Sequence, residues 1–226
     1  MHALILAAGQ APTRARLDGA WPGWNDDIEL VVAADGGAGH ADRLETTLDL
    51  WVGDGDSLDA EALAGLVAAG IAVQLARPDK DESDTELAVR AALDRGATRL
   101  TIVGALGGPR LDHALANVAL LAMDELGGRD VRLIDQGARV RCLRAPDPTG
   151  AAASLVLEGR IGDVVSLLPW GGAVTGISTL GLHYPLRDEV LVEGRSRGLS
   201  NVRIAATASV TVRDGRLIVI ESPASL

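Results

Sequence analysis

Six short aliphatic runs, at residues 3–8, 29–34, 50–53, 72–76, 100–104 and 131–135, punctuate the first 145 positions of the chain. They are rich in Val, Ile, Leu and Ala and show little polar alternation. That pattern predicts strands covered on both faces, as in a parallel sheet. Helical stretches are expected between them at 38–44, 60–69, 84–95 and 111–126. The third opens Ser83-Asp84-Thr85-Glu86, a capping box whose side chains satisfy the free N–H groups of a first helical turn. Strands alternating with helices at this spacing predict a doubly wound, mostly parallel α/β domain over residues 1–145.

The pattern changes at Ala145-Pro146-Asp147-Pro148-Thr149-Gly150, a turn-rich break. Beyond it come only short strand-like runs, at 154–157, 164–168, 173–178, 189–192, 209–213 and 216–220, with no helical periodicity. Asp214-Gly215, between the last two, predicts a tight hairpin, because a type I′ turn needs positive φ. Residues 146–226 are therefore expected to form a small β-sandwich or barrel.

Composition narrows the class. Of 226 residues, 47% are hydrophobic and 23% charged, which excludes general disorder. No run approaches the roughly 18 apolar residues of a membrane-spanning helix, and the start lacks the basic segment of a secretory signal. A single cysteine, Cys142, excludes a disulfide framework and a thiolate metal cluster, and a reducing, cytoplasmic location is expected. The net charge is −10; residues 1–145 hold 14 basic and 23 acidic side chains, residues 146–226 hold 7 and 8. A surface this acidic repels phosphate backbones, and with no Phe, one Tyr and four Trp there are few stacking platforms, so nucleic acid is not expected as a partner. Of 21 basic residues 20 are Arg, which leaves Lys80 as the only lysine.

The candidate chemistry lies where acids and glycines follow the aliphatic runs. Ala34-Asp35-Gly36-Gly37, Gly53-Asp54-Gly55-Asp56-Ser57 and Gly104-Ala105-Leu106-Gly107-Gly108 each do so directly. Carboxyl ends of strands are where open α/β sheets bind ligands, and glycine lets a backbone approach a phosphate. A lone Asp-Gly pair is most simply a tight turn; three at strand ends in one domain point to a site. Asp54 and Asp56 flank a glycine and can direct oxygens at one hard cation such as Mg2+. Lys80-Asp81-Glu82-Ser83-Asp84-Thr85-Glu86 sets one lysine among four acids, suited to a phosphate with Asp84 reaching the same metal, although Glu82 and Glu86 also suit a solvated helix start. Gly107-Gly108-Pro109-Arg110-Leu111-Asp112-His113 leads a glycine loop into a helix, with Arg110 as a bidentate phosphate donor. His113 beside Asp112 fits either an acid–base group or a structural partner.

Residues 4–14 share the apolar-to-glycine opening of sugar nucleotidyltransferases but lack the further glycines and an early lysine. No Gly-x-x-x-x-Gly-Lys-Ser/Thr loop is present, which excludes a P-loop NTPase. Taken in order, the clusters resemble the thiamine pyrophosphokinase family. The second half adds Ser166-Leu167-Leu168-Pro169, Thr179-Leu180-Gly181-Leu182-His183-Tyr184-Pro185-Leu186 and Ser196-Arg197-Gly198-Leu199-Ser200-Asn201. Two departures stand out: Gly55 occupies the aromatic position of the family's Gly-Asp-Phe-Asp-Ser, and Val202 the acidic position after Ser-Asn.

The resemblance implies a catalytic α/β domain over 1–145, a thiamine-binding β-sandwich over 146–226 and a homodimer with thiamine bound between subunits. The implied reaction moves the pyrophosphoryl group of ATP to the thiamine hydroxyl and releases AMP. Asp54, Asp56 and Asp84 would hold Mg2+, and Lys80 and Arg110 the phosphates, with Asp56, Asp84, Lys80, Arg110 and Asp112 as the catalytic set. Asp35, Gly36, Gly37, Asp81, Gly107, Arg110 and His113 would contact ATP. Asp35 and Asp112 are alternatives for nucleotide support or for the base. Thr179, Leu182, Tyr184, Ser196, Ser200 and Asn201 would contact thiamine, though a tyrosine at a strand end also reads as core. The alternatives are a nucleotidyltransferase that releases pyrophosphate, and a binding regulator without turnover.

Overall fold

Strands β1 (His2–Leu6), β2 (Ile28–Ala34), β3 (Leu50–Gly53), β4 (Ala72–Leu75), β5 (Arg99–Val103) and β6 (Asp130–Ile134) form the centre of the first of two units in the computed structural model. The structure describes residues 1–55, 60–77 and 79–224. All six strands are parallel, in the order β6-β5-β1-β2-β3-β4. β1 is buried along its whole length, as its unbroken apolar sequence requires. Among the described residues four helices connect the strands: α1 (Arg14–Ala20), α2 (Ala60–Ala68), α3 (Asp84–Asp94) and α4 (Leu111–Leu120). Ser83 caps α3, its Oγ accepting from Glu86 N at 3.2 Å, and the helix buries the small side chains Ala88, Val89, Ala91 and Ala92.

Several expectations change. The helix expected at 38–44 is two short 3₁₀ segments, Asp35–His40 and Asp42–Leu44, because Gly36, Gly37 and Gly39 disfavour an α-helix. The helix at 111–126 stops at Leu120, and a 3₁₀ turn follows at Asp124–Leu126. Helix α1 was not anticipated; it buries only Leu17, too little periodicity to read.

The second unit takes in Leu121–Gly128 and Gly137–Leu226, so the division falls before residue 145. The reason is β7 (Arg139–Ala145), which pairs along its length with β14 (Gly215–Ser222). The other strands are β8 (Ala153–Leu157), β9 (Val164–Pro169), β10 (Val174–Leu180), β11 (Glu189–Leu191), β12 (Asn201–Val202) and β13 (Ala208–Val212). Their antiparallel sheets, β12-β9-β14-β7 and β11-β10-β13-β8, enclose one core in which Leu143, Val165, Leu167, Leu217 and Val219 meet Leu157, Val174, Ile177, Val210 and Val212. Asp214-Gly215 is not a hairpin turn: β13 and β14 belong to different sheets, and Gly215, at φ 104°, carries the chain from one to the other.

At the start of β1 a polar chain runs through the first unit. His2 Nδ1 lies 2.9 Å from Asp26 O and His2 Nε2 2.9 Å from Thr101 Oγ1, which also accepts from Arg132 Nε at 2.9 Å. A carbonyl can only accept, so Nδ1 carries the proton and Nε2 takes the Thr101 hydroxyl hydrogen, which describes a neutral imidazole. Burial pushes the His2 pKa below its ordinary value. The unfolded chain therefore binds the extra proton first, and stability present above about pH 6.5 is lost as the pH falls. Urea unfolding at pH 8 and pH 5.5 should show a shallower loss on acidification for His2→Gln than for the parent. An equal or steeper loss in the variant would remove His2 from the account.

Candidate active site

The chain builds β1 to β4 in one direction and then returns to lay β5 on the other side of β1, so the carboxyl end of β1 is the switch point of the sheet. The loops after β1 and β5 meet there, with Ala7 N donating to Val103 O at 2.8 Å and Gln10 N to Gly107 O at 3.1 Å. There is no room for a side chain between them. A Cβ at Gly37 would stand 2.0 Å from Leu6 O, and one at Gly104, held at φ 77°, 2.3 Å from Ala7 O. Two residues absent from the sequence reading hold the loop in place: His40 Nε2 is 2.7 Å from Gly9 O, and Arg43 Nη1 donates to Ala11 O at 3.1 Å.

Asp54 leaves the end of β3, Asp84 opens α3, and Lys80 lies just ahead of α3. Lys80 Nζ donates to Asp54 Oδ2 at 2.8 Å and sits 2.7 Å from Asp84 Oδ1. Both Lys80 and Asp54 are largely enclosed, their side chains 12% and 15% exposed. Burial opposes the Lys80 charge, but its close contacts with the two carboxylates outweigh it and raise the pKa. Asp84 Oδ1 is itself buried and accepts no well-aligned hydrogen bond. Two carboxylate oxygens converging on one cation fit a magnesium ion that keeps waters and shares phosphate oxygens. Asp56, the third expected ligand, lies outside the described residues.

Asp35 holds a positive φ of 48° after β2, and its carbonyl accepts the Trp51 indole N–H at 3.0 Å. A Cβ on Gly53 would lie 3.2 Å from Asp35 Oδ1, which puts this carboxylate beside the end of β3. Gly36 is exposed and Gly107 half-buried. Arg110 and Asp112 form an exposed bidentate pair, Nε to Oδ1 at 2.9 Å and Nη2 to Oδ2 at 2.6 Å. The Arg110 guanidinium holds the Asp112 carboxyl well below the usual range. Asp81 and His113 are exposed. Glu86 pairs with Arg90 at 2.9 Å along α3, in keeping with a helix-surface role.

In the second unit the expected thiamine residues divide. Tyr184 is 67% exposed, which removes the core alternative, and it meets the His183 ring edge-on at 4.5 Å. Asn201, only 8% exposed, spends its amide on the backbone of Tyr184: Oδ1 accepts from Tyr184 N at 3.0 Å and Nδ2 donates to Tyr184 O at 2.8 Å. It therefore positions Tyr184. Leu182 is buried in the sandwich core, and Thr179 Oγ1 accepts from Leu186 N at 2.9 Å. A groove of about 520 Å³ lies along Ser178–Gly181 and Pro185–Asp188. Ser196 and Ser200 are exposed, and Ser200 turns at φ 56°.

The chain thus joins an acid-lined α/β unit to a β-sandwich that presents an exposed aromatic side chain. Residues 23–127 match the thiamin pyrophosphokinase catalytic domain and residues 155–217 the thiamin pyrophosphokinase vitamin B1 binding domain. The thiamine pyrophosphokinase of Bacillus subtilis (strain 168) is 26% identical over 206 residues, 88% of this chain and 90% of that protein. The solved thiamine pyrophosphokinase from Bacillus subtilis shares the fold with a TM-score of 0.81 at 23% identity, covering 100% of both chains. A thiamin pyrophosphokinase family protein from Enterococcus faecalis gives 0.78 at 27% identity, covering 98% of this chain and 99% of that one. The chain belongs to the thiamin pyrophosphokinase family.

The tight loop packing is testable without substrate. Gly37→Ala forces a methyl group against the Leu6 carbonyl, and overpacking of this kind costs about 1–3 kcal/mol. Gly39→Ala, whose Cβ would meet nothing within 4 Å, should cost far less. Equal urea midpoints for the two variants would contradict the close approach.

Proposed function

We infer that the chain transfers the pyrophosphoryl group of ATP to the hydroxyl of thiamine, giving thiamine diphosphate and AMP. The observation that carries this reading is the Asp54–Lys80–Asp84 cluster, set at strand and helix ends in a chain whose two parts match the family's catalytic and vitamin B1 binding domains. The thiamine hydroxyl oxygen attacks the β-phosphorus and AMP departs, a step that needs alignment and charge neutralisation rather than a covalent enzyme intermediate. Asp54 and Asp84, with Asp56, would hold Mg2+, which supplies neutralisation of the phosphate oxygens when bound. Lys80 and Arg110 hold phosphate oxygens, and the N–H groups of the 104–108 loop add donors. Asp112 orients Arg110 through its bidentate pair, which leaves Asp35 as the acceptor of the hydroxyl proton. Tyr184, fixed by Asn201, supplies an aromatic face to the thiamine rings.

We extend the reading to a homodimer in the cytoplasm. Tyr184, Leu180, Val190, Val192 and Leu199 are all exposed on the second unit, an apolar set of the kind that partners cover. The lone thiol, Cys142, is pushed up to about 11 by burial and is inert, as suits a reducing compartment. No helix among the described residues is long and apolar enough to cross a membrane.

Incubation with ATP, Mg2+ and thiamine should yield thiamine diphosphate and AMP. Pyrophosphate release would mean a nucleotidyltransferase, and binding without product would mean a regulator. Asp54→Asn should lower turnover at least about 100-fold, the loss of roughly 3 kcal/mol of electrostatic stabilisation. Turnover close to the parent's at saturating Mg2+ would remove Asp54 from the metal site. Light scattering should give twice the chain mass at micromolar concentration; a fully active monomer would sink the dimer.

A further inference from the structure

The place between Asp54 and Asp84 is already filled by a charge of the right sign. Lys80 Nζ stands 2.8 Å from Asp54 Oδ2 and 2.7 Å from Asp84 Oδ1. A magnesium ion bonds carboxylate oxygens at about 2.1 Å, so it would need the same small space, and two cations there repel. We propose that Lys80 is the resident counter-ion of this site, exchanged for a divalent cation and thereby released to the phosphates of the nucleotide. The proposal rests on the phosphotransfer reading above and adds a coupling to it: the lysine cannot serve the carboxylates and the nucleotide at once.

Three features say which group moves. Asp54 is fixed at the end of β3, paired on both sides, and Asp84 is fixed in the first turn of α3 by the Ser83 cap. Lys80 belongs to neither element and reaches in on a stem of four rotatable bonds. The Lys80 contact with Asp84 Oδ1 is ionic without an aligned hydrogen bond, so that buried oxygen is better served by a metal cation that bonds its lone pair directly. Metal entry and phosphate binding are then linked, because each gives the displaced group its new partner.

The test titrates MgCl2 alone, without nucleotide, into the parent, Lys80→Met and Lys80→Gln by calorimetry, with unfolding followed in EDTA and in Mg2+. Removing the competing ammonium should tighten Mg2+ binding about tenfold, within the usual range of coupling between sites. It should also lower the melting temperature in EDTA, where two carboxylates face each other, and enlarge the rise that Mg2+ produces. Asp84→Asn should weaken Mg2+ binding. Mg2+ binding to both Lys80 variants that is unchanged, weaker or undetectable overturns the exchange. Variants that fold only with Mg2+ support it; variants that do not fold even at saturating Mg2+ overturn it, since the lysine then does something a cation cannot. Product formation by the parent, measured separately, tests the underlying reaction: product without tightening sinks the exchange alone, and tightening without product sinks the reaction alone.

Discussion

Gly37 lies against the Leu6 carbonyl and Gly104 against that of Ala7, so the carboxyl end of β1 carries three chain segments with no side chain between them. Everything acidic in the site is placed relative to that junction. Because β1 pairs with β2 on one side and β5 on the other, strand register alone sets the loops after β2, β3 and β5 along one edge. His40 and Arg43 then fasten the β1 loop by its carbonyls. A site built this way is preorganised by backbone packing, which is the form of rigidity that phosphoryl transfer uses best.

Much of this was legible in the sequence, for physical reasons that also explain the misses. The β1, β2, β3 and β5 runs are aliphatic because both faces are covered, and their ends agree with the structure to within a residue or two. Asp54 was picked out because it directly follows a buried strand, and Lys80 and Asp84 because the only lysine of the chain stands among acids at a helix start. β7 was missed because its alternation is disguised: Arg139 and Arg141 point inward, where a hydrophobic residue is expected. The roles of His40 and Arg43 were invisible, since each bonds a carbonyl about thirty residues away and carries no local signal. The bonds from Asn201 to the Tyr184 backbone were not legible, because a motif names a position and not the direction of its hydrogen bonds.

The buried arginines of β7 show how the second unit tolerates charge. Glu221 lies opposite Arg139 in register, accepts two bonds from it at 3.0 Å, and takes a third from Arg141 at 2.6 Å. All three side chains are almost wholly enclosed, so the carboxylate has no water to compete for it. Such a network adds little net stability compared with apolar packing, yet leaving any member unpaired is costly. It fixes β14 to β7 in one register, because a slip of one residue would turn Glu221 to the other face and strand both guanidinium groups. The same logic, polar groups spent on backbone or on each other, leaves Tyr184 as the prominent exposed aromatic of this unit.

Electrostatics constrains what the first unit can take. The first 145 residues carry most of the net charge of −10, so this unit repels a bare polyanion. On the reading proposed above, a nucleotide would approach with its charge reduced in two ways: by a divalent cation gathered by the acids, and by the sole lysine of the chain. With Lys80 neutralising Asp54 and Asp84, the ligand-free protein avoids the repulsion that two facing carboxylates would store, and it keeps the lysine unavailable to stray anions. On the proposed exchange, the carboxylates would serve the folded state through the lysine and the reaction through the metal. A lysine in this position answers both needs because its charge is mobile on a long stem; arginine, with its rigid fork, would hold the acids more firmly and exchange less readily. That difference gives a physical reason for a lone lysine at this position in a chain otherwise committed to arginine.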